Sequence, residues 1–500
     1  RFNGMFALAL YNVHKRTLLL ARDHAGMKPL YYLRAECGVV FASQYDQIMA
    51  HPWSAGETYS GAALGLYLRL GYVPAPFGLL KRTHQVEAGS WLEIDAAGAI
   101  RRGRYFEYPV YREPDLRGDT ANQAVDEALR ASVRRHLQAD VSVGTFLSGG
   151  IDSPLITAMV HEQASGVPAF TLSTGGDPHD ESPDAAAYAR EIGVEHIVGE
   201  LTQEAALAML DDVVTALGEP FADYSIFPTM FVSRLARERV KVALVGDGGD
   251  ELFFGYVGRF AALLGRLSPQ ADGAPNDSKT EKLRRLLSVD GAQTDSRWPS
   301  TVGDLYRLSH TQAPEGWLRR IFPNLPPWPE EFTLFRHNDF DADRTAQWMR
   351  WNELSGYLAM LLQKVDRASM FESLEARVPL LDREVIDIAT RIDWRSSLNT
   401  QRRLGKLPLR HALAKRVRHQ TWAKRGFTVA MDEWMRGALR PVFEDAVLAS
   451  TDLGGLELNR SGAVDLLQRH LEGRANHGWI LWMLLSLALW ERKYSRRRGY

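Results

Sequence analysis

Apolar positions along the first 118 residues come in short alternating runs. FALALYN, RTLLLARD, LYYL, GVVFAS and SWLEID each read as a β-strand bounded by Gly, Pro or charged turns. One helix is predicted among them, from Gly61 to Leu70. From Asp119 the period changes, and ANQAVDEALRASVRRHL repeats its apolar residues at helical spacing. Three apolar strands follow, VSVGTFL (141–147), AFTLS (169–173) and KVALV (241–245), with helical stretches between them. Such βαβ alternation predicts a parallel sheet covered on both faces. The change of pattern predicts two domains, 1–118 and 119–500.

Residues 268–302 are polar and turn-rich and predict an excursion from the second domain, while the prolines of PNLPPWPEEF (323–332) exclude a helix there. Helices are expected from there to the end. The run WILWMLLSLALW (479–490) is too short for the ~20 apolar residues of a bilayer crossing and predicts a buried helix. No membrane partner is expected.

Composition narrows the function classes. The chain has 500 residues, 45% of them hydrophobic and 24% charged, as in globular proteins. Its 60 Lys+Arg against 61 Asp+Glu leave a formal charge of −1, so no basic field exists to collect nucleic acid. A single cysteine, Cys37, rules out an internal disulfide framework and a structural zinc site built on several cysteines, and points to a reducing, cytoplasmic compartment. Small molecules or proteins remain as partners.

Candidate chemistry concentrates in two glycine-rich loops. Ser148-Gly149-Gly150-Ile151-Asp152-Ser153-Pro154 follows the strand VSVGTFL and precedes a helix. Backbone N–H groups in such a turn, aided by the helix N-terminus, close around an anion, with phosphate the natural guest. Ser148 and Ser153 add hydroxyls, and Asp152 suits a Mg²⁺ bridging phosphates. The strand KVALV ends in Gly246-Asp247-Gly248-Gly249-Asp250-Glu251, three carboxylates where open α/β sheets place ligands. Either loop alone could be an ordinary turn; two on one sheet are harder to dismiss. GxxxxGK[ST], HExxH and GxSxG motifs are all missing.

With these residues in view, the chain resembles the glutamine-hydrolysing asparagine synthetase family. SGGIDS looks like the pyrophosphatase-type loop of amide ligases that release AMP and pyrophosphate. GDGGDELFFGY, VDRASMFESLEARVPLLD (365–382) and KRGFTVAMDEW (424–434) are similar to its other blocks, and GMFALALYN, LLLARDHAGMKPLYY, GYVPAPFGLL and GSWLEID to the back half of its glutaminase domain. The resemblance implies an α/β fold: part of an N-terminal-nucleophile glutaminase α-β-β-α sandwich, then an adenine-nucleotide alpha-hydrolase-like parallel α/β domain with a helical C-terminal part. It implies ATP and Mg²⁺ as cofactors, a small-molecule carboxylate (by default aspartate) with ammonia or glutamine as substrates, and allows a homodimer. Alternatives are another carboxylate acceptor, such as a uronic acid or peptide, and a tRNA-modifying enzyme with the same loop.

The resemblance further implies that Ser148, Gly149, Gly150, Asp152 and Ser153 grip pyrophosphate, with Asp152 and Asp250 on Mg²⁺. Phe146 and Leu172 would contact adenine through their backbone, with Val245 and Gly246 beside the nucleotide. Lys424 would stabilise charge on the α-phosphate, and Asp247, where many members carry Glu, would act as base for ammonia. Ser225 and Thr229 lie at a predicted helix start that could face the carboxylate substrate. Asp366, Arg367, Glu375, Arg377 and Asp382 are charges interleaved with apolar residues, more in keeping with an ion-pair framework than with catalysis.

The family's glutaminase uses an N-terminal cysteine as nucleophile and base, a role Cys37 cannot fill within RAECGVVFAS. Opening on Arg1 in mid-strand, the sequence reads as lacking the front of that domain. The 500-residue chain is therefore expected to form amide with ammonia but not with glutamine; glutamate released from glutamine by the purified protein would contradict this.

Overall fold

A computed structural model describes residues 2–175, 180–267, 300–419 and 428–495. Seven strands occupy the front of the chain: β1 (Ala7–Asn12), β2 (Thr17–Arg22), β3 (Tyr31–Ala35), β4 (Gly38–Ala42), β5 (Thr83–Gln85), β6 (Ser90–Ile94) and β7 (Ile100–Arg104). They form two antiparallel sheets, ordered β1-β2-β6-β7 and β4-β3-β5. Period-two alternation explains how the sheets stack. Leu92 and Ile94 of β6 meet Leu20, Leu30, Tyr32 and Val86 between the sheets, while Tyr31 and Leu33 turn the opposite way.

The helix Gly61–Leu70 runs where the sequence predicts it; the Ser60 hydroxyl accepts from the Ala63 N–H at 3.3 Å, and Gly71 ends it at φ 83°. A short helix, Tyr45–Ala50, and the strands β5 and β7 were not anticipated. The reason for β7 is visible: IRRGR lacks apolar alternation and is a strand because it pairs with β6, Ser90 opposite Arg104.

Five further strands build a third sheet: β8 (Val143–Phe146), β9 (Ala169–Ser173), β10 (His196–Glu200), β11 (Val242–Leu244) and β12 (Glu375–Arg377). The order is β10-β9-β8-β11-β12, with every pairing parallel. The helices Gly118–His136 and Asp152–His161 cover one face through Val125, Leu129, Leu155 and Met159; Val232 and Ala236 of the helix Ile226–Arg237 cover the other at Phe170 and Ala243. The chain leaves β8 for β9 on one side and reaches β11 on the other, so the strand order reverses at β8. Such a switch point opens a crevice at the strands' carboxyl ends.

The excursion predicted at 268–302 lies, up to residue 299, outside the described residues. Residues 323–332 contain no helix. The apolar C-terminal run belongs to the helix Gly478–Ser495, which buries Trp482 and Trp490; its one polar interruption, Ser486, donates to the Phe221 carbonyl at 2.8 Å. Among the described residues no helix is long and apolar enough to cross a membrane.

The two halves are joined by buried polar contacts. Arg69 forms a two-armed bond to Glu315, both at 2.9 Å, Lys28 pairs with Asp366 at 2.8 Å, and His24 Nε2 lies 2.7 Å from the Leu381 carbonyl. The Tyr31 hydroxyl donates to Glu219, which also accepts from Gln363 at 2.6 Å. Burial pushes the Glu219 carboxyl up to about 7, although Arg367 and these donors pull the other way. A carboxyl raised on folding contributes stability that is present at low pH and lost as pH rises through its folded value. Glu219→Gln should therefore gain melting temperature relative to the parent between about pH 5 and about 7.5; parallel melting curves across that range would contradict the assignment.

Candidate active site

The loop after β8 is held by its own side chains. Ser153 Oγ accepts from the Ser148 N–H at 2.9 Å and lies 2.9 Å from Ser148 Oγ, and the Gly150 N–H donates to Ser148 Oγ at 3.3 Å. The Gly149 N–H donates to Glu181 at 3.2 Å. Asp152 opens the helix Asp152–His161, so the helix N-terminus lies at the crevice beside this loop. The loop after β11 packs tightly on the first: a Cβ at Gly246 would stand 2.7 Å from the Ser153 nitrogen, and one at Gly249 would collide with the Asp152 carboxylate.

Lys406 joins the two loops. Its ammonium lies 2.5 Å from Asp152 Oδ2 and 2.8 Å from Asp250 Oδ1. Burial alone would lower this lysine, but Asp152 and Asp250 outweigh it and raise it well above its ordinary value. Lys406 was not among the residues expected at this site, although one feature marks it. It stands at the N-cap of the helix Leu407–Ala414, where the helix dipole disfavours a cation that has no carboxylate partner.

A cavity of about 830 Å³ opens beside these groups. Its lining includes Phe146, Ser148, Gly150, Asp152, Ser153, Leu172, Val245, Gly246, Asp247 and Asp250. Gly149 lies in the loop but not on the wall. Lys424 lies outside the described residues.

Ser225 and Thr229 also line the cavity, together with Asp223 and Lys364, which were not among the expected site residues. Lys364 donates to Ser225 Oγ at 2.9 Å, and Ser225 Oγ donates to Asp223 at 2.6 Å. The signal for Lys364 was a buried cation in the apolar run LAMLLQKV, a position that requires a partner. Burial raises the half-buried Asp247 carboxyl, and Lys364 and Lys406 oppose it. The third carboxylate of the second loop, Glu251, is fully buried, accepts from the Tyr256 hydroxyl at 2.5 Å, and is pushed up to about 8 by burial and by Asp250.

Asp366, Arg367, Glu375 and Arg377 do not line the cavity. Asp366 is held by Lys28, and Arg367 by Gln44 and the Tyr31 ring 5.5 Å away. Glu375 and Arg377 pair with each other at 2.7 Å on β12, and Arg377 also donates to the His136 and Gln138 carbonyls. Asp382 accepts both arms of Arg135 and caps the next helix.

A glycine-rich loop at a strand end beside paired carboxylates, with no Walker-type lysine in it, is an arrangement suited to an enzyme that acts on a phosphate-bearing ligand. A model described as asparagine synthase matches residues 124–492, and one described as a glutamine amidotransferase domain matches 1–106. The chain belongs to the asparagine synthase family and is an asparagine-synthase-like carbon–nitrogen ligase.

A putative asparagine synthetase [glutamine-hydrolyzing] of Mycobacterium bovis is 31% identical, over 98% of this chain and 76% of that protein. Asparagine synthetase [glutamine-hydrolyzing] 1 of Bacillus subtilis is 27% identical, over 98% of this chain and 77% of its own. Among solved structures, the U34-tRNA thiolase NcsA from Methanococcus maripaludis is similar at 16% identity over 38% of this chain and 70% of that one, with a TM-score of 0.21, too slight a likeness to carry an argument.

The contact between the loops gives a direct test. Gly249→Ala forces a methyl into the Asp152 carboxylate and should weaken binding of an ATP analogue by roughly tenfold or more while the melting temperature changes little. Unchanged affinity would mean that the loops do not need this fit.

Proposed function

We propose that the chain joins ammonia to a carboxylate at the expense of ATP, with L-aspartate the default acceptor and asparagine, AMP and pyrophosphate the products. The observation that carries this is the meeting of the loops Ser148–Ser153 and Gly246–Glu251 at the ends of the adjacent strands β8 and β11, around one cavity. The asparagine synthase family is ATP-dependent, and both loops stand where an open α/β sheet binds its ligand. The proposed division into 1–118 and 119–500 is supported by family matches that stop at 106 and resume at 124.

In this reading Phe146, Leu172, Val245 and Gly246 hold the adenosine end, and the amides and hydroxyls of Ser148 to Ser153 hold the β- and γ-phosphates. An acceptor carboxylate oxygen attacks the α-phosphorus. The α–β phosphoanhydride bond breaks, pyrophosphate leaves, and a mixed anhydride of acceptor and AMP remains. Ammonia then attacks the acyl carbon, the acyl–phosphate bond breaks to release AMP, and the excess proton passes to Asp247. Lys424 would offset charge on the α-phosphate.

Asp152 and Asp250 fit a Mg²⁺: they already converge on one cation, the Lys406 ammonium, and Mg²⁺ takes one or two carboxylates together with substrate phosphates. Bound there, it would neutralise phosphate charge. Ser225, Thr229, Asp223 and Lys364 face the cavity as the acceptor's polar contacts.

A second reading keeps the chemistry and changes the acceptor. Tyr224 and Trp479, with ring centroids 4.9 Å apart, and Tyr357 also line the cavity, which favours an acceptor with an extended body such as a uronic acid or a peptide. ATP–pyrophosphate exchange measured with aspartate and with such acids separates the two: aspartate stimulates it most in the first reading, a larger acid in the second. In either, Asp152→Ala and Asp250→Ala should each lower exchange by about a hundredfold or more; unchanged rates would contradict both.

A further inference from the structure

Asp152 and Asp250 are the pair read above as the magnesium site, and the position between them is taken by a side chain of the protein itself. Lys406 comes from a distant part of the chain, 254 residues beyond Asp152. It is not a surface lysine folded back at random. Its side chain is 10% exposed, its backbone holds the left-handed conformation at φ 57°, and its N–H donates to the Phe253 carbonyl at 2.9 Å. Gly405 lies so close to the Phe254 carbonyl that a Cβ there would collide with it, and a Cβ at Gly255 would strike both Asp250 and Lys406. The segment 405–406 is thus seated on the chain that immediately follows the second loop. A non-glycine residue in the left-handed region persists only where its surroundings hold it.

Two carboxylates facing one point need a cation, and two cations cannot share that point. Lys406 is always present, tethered within reach, and its ammonium contacts both carboxylates directly. A free Mg²⁺ gives up its water reluctantly and would have to displace this ammonium for two carboxylates alone. Nucleotide phosphates change the balance, because they add negative charge for the metal and offer the displaced ammonium new acceptors within reach of its four-carbon stem.

We propose that Lys406 is a resident counter-cation that keeps Asp152 and Asp250 closed to free divalent metal, so that metal enters this site only together with a nucleotide. It rests on the assignment of Asp152 and Asp250 as the metal pair. The alternative, that Lys406 is a purely structural tie between the loops, predicts that its removal costs stability and creates no metal affinity.

Mn²⁺ binding to the whole, nucleotide-free chain, read from the loss of the free aqua-ion's paramagnetic resonance signal, separates these. Lys406→Met should bind Mn²⁺ at least roughly tenfold more tightly than the parent protein. Lys406→Met combined with Asp250→Asn should lose that gain, and a non-hydrolysable ATP analogue should bring Mn²⁺ onto the parent protein, read as metal retained with the protein after gel filtration, because the analogue itself removes the free-ion signal. Equal affinity in the parent and Lys406→Met, or a tie that melts early and gains no metal, would overturn the proposal. If Lys406→Met is too unstable to titrate, its melting temperature is the readout: Mg²⁺ without nucleotide should raise it while leaving the parent unmoved, and no rise would again overturn the proposal. If instead the analogue-bound parent holds Mn²⁺ as well after Asp152→Asn and Asp250→Asn, the metal assignment itself has failed, whatever Lys406 does.

Discussion

The contact between Asp152 and Asp250 through Lys406 is the constraint around which the rest of the second half is arranged. Each carboxylate sits in a loop at the end of one strand, and the loops can meet only because β8 and β11 are neighbours in register, Val143 opposite Val242 and Thr145 opposite Leu244. That register is fixed by apolar burial on both faces of the sheet, where slippage would turn core residues outward. Glycine at position 246 lets the backbones of the two loops approach closely, and glycine at 249 leaves room for the Asp152 carboxylate. Like charges at such a distance are tolerated because the ammonium lies between them.

The front half contributes in a different way. Its sheets do not reach the cavity, yet residues of β3 and of the turn before it anchor the helix Leu358–Phe371: Lys28 to Asp366, and Tyr31 with Arg367 and with Glu219 beside Gln363. The same helix carries Lys364 into the cavity. A shift at the contact between the halves would therefore be felt at Lys364, two residues from Asp366. Within the charged block 365–382, Asp366 and Arg367 make this connection, while Glu375, Arg377 and Asp382 pair with residues of the second half.

The sequence was most legible where a single local rule suffices. β8, β9 and β11 are continuous apolar runs because they are central and buried on both faces, and the glycine-rich loops after β8 and β11 announce themselves by composition. β10 and β12 are edge strands of five and three residues whose polar, half-exposed sequences, HIVGE and EAR, carry no such pattern. Lys364 and Lys406 carry no decisive local mark because what defines each is a partner far along the chain, 139 residues away for Ser225 and 254 for Asp152. Asp366 and Arg367 were legible as buried charges needing partners, but the identity of those partners, Lys28 and Gln44, is a property of the packed halves.

The central claim is that these two loops activate a carboxylate by joining it to AMP. The most direct measurement is the fate of oxygen-18 placed in the acceptor carboxylate during amide synthesis from ammonia and ATP. Adenylation predicts that one labelled oxygen per turnover appears in the phosphate of AMP, with unlabelled pyrophosphate. Label found in inorganic phosphate with ADP, or retained wholly in the amide and its acid, would contradict the account.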